Sequence, residues 1–125
     1  MLKYLRDADY DYVVAGMKTG IPKLDIGFWN DITVGSSITF TNGKKEAIVN
    51  VTGKKFFQTI GDAWFSYKTV SGIHPVFPEL DRTTLVSISD VNKYYEYDFP
   101  SVLVKEKGVV VVEFKLSENQ EAENL

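Results

Sequence analysis

The stretch that most constrains the fold is Gly108-Val109-Val110-Val111-Val112-Glu113-Phe114-Lys115-Leu116. Consecutive β-branched residues favour a strand, because the branched side chain packs well on a pleated surface and loses rotamer freedom in a helix. Successive strand side chains point to opposite faces. A strand that is apolar at every position of its first half is therefore one buried on both faces. The run is far shorter than the ~20 apolar residues that a bilayer crossing takes.

The remaining segments supply partners for it. Tyr4-Leu5 starts a short strand. Asp7 or Asp9 can cap a short helix in which Tyr10, Val13, Val14 and Met17 recur at helical spacing, and Gly16 ends it. Residues 18–24 read as extended, and Pro22 makes that strand an edge or a bulged one because it cannot donate to a ladder. Residues 27–34 read as a loop holding Phe28, Trp29 and Ile32. Residues 37–41 alternate, with Ile38 and Phe40 on one face, and Asn42-Gly43 then signals a hairpin. Residues 45–51 return with Ala47, Val49 and Val51 on one face, and residues 52–55 break or bulge the strand before Phe56-Phe57. Thr59 with Asp62, and Ser87 with Asp90, mark two helix starts. Ile60, Ala63, Trp64 and Tyr67 form the apolar stripe of the first helix; Ile88, Val91 and Tyr95 form that of the second, which ends by Pro100. Five or six strands with short helices at the ends predict an α+β domain around a closed or nearly closed barrel, closure removing the exposed edges.

Composition excludes several classes of chemistry. The chain has 125 residues, enough for one core without staples, and it contains no Cys and one His, His74. No disulfide framework, thiolate zinc site or His-rich metal cluster can be built from that set, and His74 is the one imidazole open to a Ser/His/Asp triad. No metal and no cofactor is expected. No membrane association is expected either, and the N-terminal residues lack the apolar core of a signal peptide, so a cytoplasmic location is the default. Net charge is −3, which argues against a sequence-blind binder of nucleic acid. The charge is uneven: residues 1–75 carry nine Lys/Arg against seven Asp/Glu, and residues 76–125 carry five against ten. Residues 117–125 hold three Glu and no basic residue and read as an acidic flexible tail after a single domain over residues 1–116.

Four motifs, taken in order, are similar to the ASCH family of the PUA-like group. Gly16-Met17-Lys18-Thr19 after a short helix resembles the opening of its Gly-x-Lys-x-x-Glu-x-Arg signature. The run from Trp29 through Val34-Gly35-Ser36-Ser37-Ile38-Thr39-Phe40 resembles its aromatic loop and following strand. Phe56-Phe57 with Thr59, Asp62, Ala63 and Trp64 resembles its aromatic-then-helix element, and the 108–116 run resembles its closing strand. The resemblance covers residues 4–116. It implies a small PUA-like mixed β-barrel with short helices packed at its ends, a cleft between barrel and helices, and RNA or modified-nucleoside ligands. Some small members deacylate N4-acetylcytidine. The signature is degenerate here: Ile21 stands for its Glu, Lys23 for its Arg and Ser36 for the Asp after Val-Gly. In the amidohydrolase branch a Thr nucleophile takes the place of Ile21, and an aliphatic side chain cannot act as one.

The candidate ligand-binding residues are Gly16, Lys18, Thr19, Lys23, Trp29, Trp64 and Tyr67. Lys18 matches the family lysine and offers a cation to phosphate or carbonyl oxygen, or a base if desolvated. Ile21 and Lys23 share a strand face, which leaves Lys23 without the Glu partner its family counterpart has. Trp29, in a loop, is the better stacking platform; Trp64 and Tyr67 lie on a helical stripe that core packing also explains. Lys18 and Asp90 are the catalytic candidates if the protein is an enzyme, although the capping of Ser87 already accounts for Asp90. His74, before Pro75, has no catalytic task. Three functions follow: a non-catalytic module for RNA or a modified nucleoside, an amidohydrolase of N4-acetylcytidine-type nucleosides, and a protein-interaction scaffold whose partner meets the acidic half.

Overall fold

A computed structural model describes residues 1–70, 72–80 and 87–117. Among these, β1 (Leu2–Tyr4), α1 (Asp7–Val14), β2 (Gly20–Leu24), α2 (Gly27–Asp31), β3 (Ser37–Thr41), β4 (Glu46–Phe57), α3 (Ile60–Ser66), α4 (Ile88–Tyr94), α5 (Ser101–Lys107) and β5 (Val109–Leu116) follow one another. The strands form one mixed sheet in the order β1-β3-β4-β5-β2, parallel only between β1 and β3. It curls into a half-barrel rather than a closed one. β1 and β2 are its two edges, and Pro22 falls on an edge as its missing N–H requires.

The valine run sits inside the sheet, between β4 and β2. Val109, Val110, Val111 and Val112 are all buried, and the alternation of the strand divides them between two cores. Val110, Val112 and Phe114 face Ile38, Phe40, Val49 and α1's Tyr10 and Val13. Val109 and Val111 face Ile60, Ala63, Val76, Phe77 and Val91 under the later helices. Full burial of each such side chain stabilises the fold by about 1.5–3 kcal/mol, so the central strand is the keystone of both layers.

Other expectations hold with local corrections. Thr59 and Ser87 cap α3 and α4 by accepting from the backbone N–H of Asp62 and Asp90. β4 runs unbroken through a bulge between Val51 and Gly53. Gly53 lies against the Glu113 carboxylate, which would have to shift to admit a side chain there. Three readings need correction. Neither Asp7 nor Asp9 caps α1; both lie in its first turn, where the helix dipole favours an anion. Met17 falls beyond α1 and is exposed, because the helix has already ended. Residues 27–31 form a one-turn helix rather than a loop, and α5 fills a stretch that carried no start signal, Pro100 standing at its N-cap. The predicted acidic tail from residue 118 lies outside the described residues. Ser117 is still paired, its N–H donating to the Ile48 carbonyl at 3.0 Å.

Candidate functional site

Lys18 owes its place to the way α1 stops. Gly16 takes φ +75°, a left-handed conformation that costs glycine nothing. Its N–H donates to the Val13 carbonyl at 3.0 Å, and those of Met17 and Lys18 donate to the Tyr12 carbonyl at 2.9 and 3.0 Å. This double closure satisfies the helix C-terminus and reverses the chain. Thr19 then leads into β2: its N–H donates to the Pro75 carbonyl, and its own carbonyl accepts from Phe114 N–H, both at 2.9 Å. Gly16 and Thr19 are thus backbone determinants of the site, and both side positions face solvent.

The Lys18 side chain turns inward and is 5 % exposed. Its Nζ donates to the Val76 carbonyl at 2.6 Å. An ammonium has three N–H donors, and no carboxylate among the described residues forms an ion pair with this one. Burial therefore pushes its pKa down. Glu79 and Asp9 pull it back up from a distance, and Lys23 adds to the depression. The Val76 carbonyl is itself held in place by His74, whose Nδ1 accepts from the N–H groups of Val76 and Phe77, each at 3.1 Å. An Nδ1 that accepts twice carries no proton, so Nε2 holds the hydrogen and donates to the Trp64 carbonyl at 2.9 Å. His74 is a structural brace of the 74–80 segment.

Lys18 opens onto a cleft of about 860 Å³ that Ile21, Lys23 and Trp29 also line. β2 supplies Ile21 and Lys23 from one face, as their spacing requires, and the one-turn α2 supplies Trp29. Lys23 Nζ lies 5.4 Å from the Trp29 ring centroid, and Lys3 Nζ lies 5.7 Å from it. Burial lowers the Lys23 pKa, and the neighbouring Lys3 lowers it further. The opposite wall comes from the later chain, with Glu79 and Tyr95 facing the cleft. The Tyr95 hydroxyl donates to Glu79 Oε1 at 2.5 Å, and burial with that carboxylate raises its pKa well above the ordinary phenol range. Three cations (Arg6, Lys18, Lys23) and three carboxylates (Asp9, Glu79, Asp98) line the cleft. Its charges are balanced, not basic.

Three predicted site residues lie elsewhere. Asp90 is not on the cleft; α4 packs against α3, and its backbone serves the Ser87 cap. Trp64 and Tyr67 pack against the second core. Tyr67 is committed to Glu113, to which its hydroxyl donates at 2.9 Å, while Lys55 pairs with the same carboxylate at 3.4 Å. Trp64 is half-buried, and its Nε1 has no partner among the described residues. Core packing accounts for both rings. The cleft residues that sequence reading missed are Arg6, Glu79 and Asp98, with Asp9 read there as a cap. Nothing in the sequence spacing named Glu79, and the carboxylate that was paired with Lys18, Asp90, is the wrong one. Among the described residues no group of three or more His, Asp or Glu side chains could hold a metal ion, and no helix is long and apolar enough to cross a membrane.

No family model matches the sequence, and no curated protein matches it either. Two solved structures share the architecture. The crystal structure of hypothetical protein PH0355 superposes with a TM-score of 0.73 over 93 % of this chain and 97 % of its own, at 23 % identity. The solution structure of protein PF0455 from Pyrococcus furiosus gives a TM-score of 0.66 over 94 % of this chain and 99 % of its own, at 20 % identity. At these identities the likeness is one of fold.

Proposed function

We propose that the chain is an ASCH-like, non-catalytic binding domain for a nucleoside-sized ligand, RNA-derived or modified, held in the Lys18 cleft. The observation that carries this reading is the buried Lys18 ammonium, with one of its donors used and no paired carboxylate, beside a π-face at Trp29. A base laid on Trp29 replaces the cation–π contact with Lys23 by stacking of about 1–3 kcal/mol. The exchange frees Lys23 for a phosphate or ribose oxygen.

The charge balance favours a single nucleoside unit over a strand. A groove that tracks a phosphate backbone carries an excess of cations and loses affinity steeply as salt rises. Here cations and carboxylates are equal in number, which suits a ligand that offers both donors and acceptors. The amidohydrolase alternative paired Lys18 with Asp90. That alternative needs water as its nucleophile, since Ile21 is none, and Asp90 does not line the Lys18 cleft, which supports the binding reading over it.

Calorimetric titration with nucleoside monophosphates and with a mixed-sequence single-stranded RNA, each at low and physiological salt, tests the proposal. Binding of at least one monophosphate with little salt dependence is the expected result. Binding of RNA alone, with a steep salt dependence, removes the nucleoside reading; no binding to either ligand removes the whole proposal.

A further inference from the structure

Resting on the nucleoside reading, we infer that Lys18 and Glu79 form a donor–acceptor pair that reads the edge of a base, and that the edge they fit is guanine's. Both residues line the cleft, and no ion pair joins them. Glu79 and Lys18 thus share one cleft without their charged groups meeting at ion-pair distance. Each is fixed from behind: the ammonium by the Val76 carbonyl, and the carboxylate by the Tyr95 hydroxyl. One ammonium donor is used in this way, which leaves two. A carboxylate offers about four lone-pair sites on its two oxygens, and Tyr95 takes one. The unspent capacity of the site is therefore a donor pair beside an acceptor pair.

The Watson–Crick edge of guanine presents the complement: the O6 acceptor next to the N1–H and N2–H donors. O6 takes a Lys18 hydrogen, and the two adjacent donors face the Glu79 carboxylate. Adenine presents the reverse order, an N6 donor next to an N1 acceptor. In the same pose it sets like against like at both contacts and leaves the buried Lys18 donors without an acceptor, which is how a polar site discriminates. Cytosine can enter turned over, giving N4–H to Glu79. It then offers the carboxylate one donor rather than two, and it stacks a smaller ring on Trp29. The buried, charge-fixed character of Lys18 makes its contact the expensive one to leave unmade.

Titration of the full chain with GMP, inosine monophosphate, AMP and CMP, for the native protein and for Glu79→Gln, tests this. GMP is expected to bind at least about tenfold tighter than AMP, as for a hydrogen bond to a charged group. Inosine monophosphate, which lacks the 2-amino group, should fall between them. Glu79→Gln should lower GMP affinity about tenfold and should not lower AMP affinity, because the amide removes the contact that sets acceptor against acceptor; Glu79 is exposed, so folding should be retained, and circular dichroism checks it. If all four bind alike, or if Glu79→Gln lowers AMP and GMP equally, the base edge is not read. The edge assignment then falls while the nucleoside reading stands. CMP binding as tightly as GMP overturns guanine in favour of a cytosine edge. Failure of all four to bind sinks the nucleoside reading itself.

Discussion

The molecule has two cavities of nearly equal size and unequal chemistry. The Lys18 cleft measures about 860 Å³; a second groove of about 890 Å³ runs between the end of β4, the start of β5 and α5. Phe99 contributes to both. The second groove is walled by Phe56, Phe57, Val104 and Val109, with Lys105 and Lys107 on its exposed rim. Its charged residues lie at the surface, where water solvates them. The first cleft instead buries a cation and opposes it with a carboxylate that it does not touch. Volume therefore does not distinguish a site here. A charge kept out of water with part of its hydrogen-bonding capacity unused does, because such a group is costly unless something meets it.

The largest effect should come from the brace that builds one cavity and not the other. In His74→Ala the backbone N–H groups of Val76 and Phe77 and the Trp64 carbonyl all lose their partner. Each such buried group costs about 1–3 kcal/mol. A loss of about 3 kcal/mol or more in urea unfolding is expected, together with loss of nucleoside binding by the molecules that remain folded. Full binding in the folded fraction would mean that the 74–80 segment does not shape the cleft.

Lys18→Met comes next, and it separates function from stability. The apolar stem is kept, the buried charge is removed, and the Val76 carbonyl loses its donor. The last two effects oppose one another, so the net stability change should stay within about 1 kcal/mol. Ligand affinity should fall about 10–100-fold, the value of a charged hydrogen bond. The pH profile gives a second signature. The folded-state pKa of Lys18 lies below that of the unfolded chain, so between the two the unfolded state binds the extra proton and stability rises with pH. That increment is complete above about 10.4, the unperturbed value, and is lost as pH falls through the folded pKa. It should shrink in Lys18→Met.

Much of the architecture was legible in the sequence because it rests on local rules. The valine run required two covered faces, Pro22 required an edge, and Gly16 required a helix stop. Thr59 and Ser87 capped as their spacing dictates. Those rules also placed Lys18, since its position is a consequence of the turn before it. The mixed barrel with short helices was legible as well, while the choice between closed and nearly closed was not, because periodicity shows which face of a strand is buried and not whether two edges meet. The far wall of the cleft was not legible. Glu79 comes to the same cleft from 61 positions beyond Lys18, in a segment without periodicity, and long-range proximity leaves no local trace. Trp64 and Tyr67 carried the right chemistry, but the helix that bears them covers the opposite core. Asp90 illustrates the same limit, since its capping spacing said where a helix begins and nothing about what the residue faces.

Tyr95→Phe should have a smaller effect and tests whether Glu79 must be held. Removing the hydroxyl frees Glu79 Oε1 without touching the ligand surface of Lys18. Guanine nucleotide affinity should fall about threefold, the share of a positioning hydrogen bond of about 0.5–1 kcal/mol. The alkaline limb of the stability profile should also change. The Tyr95 phenol ionises at higher pH in the fold than in the unfolded chain, so the stability it contributes is complete below the unfolded value of about 10 and is lost as pH rises beyond it. That alkaline loss should be reduced in the variant, leaving Tyr10 and Tyr67, whose pKa values are raised in the same direction.

The smallest effect is expected on the other side of the comparison. Phe56 walls the second groove and is 61 % exposed, with Lys54 Nζ 5.6 Å from its ring centroid. A residue already mostly in water has little apolar burial to lose, so Phe56→Gln should change stability by no more than about 0.5 kcal/mol. Nucleoside affinity should not change at all, since Phe56 does not line the Lys18 cleft. Chemical-shift perturbation on adding GMP should likewise leave Phe56 and Val104 in place and move Ile21, Lys23 and Trp29. If Phe56→Gln abolishes binding, or if the shifts cluster along α5, the ranking of the two cavities is reversed. The buried ammonium would then be a cost of the fold rather than the mark of a site.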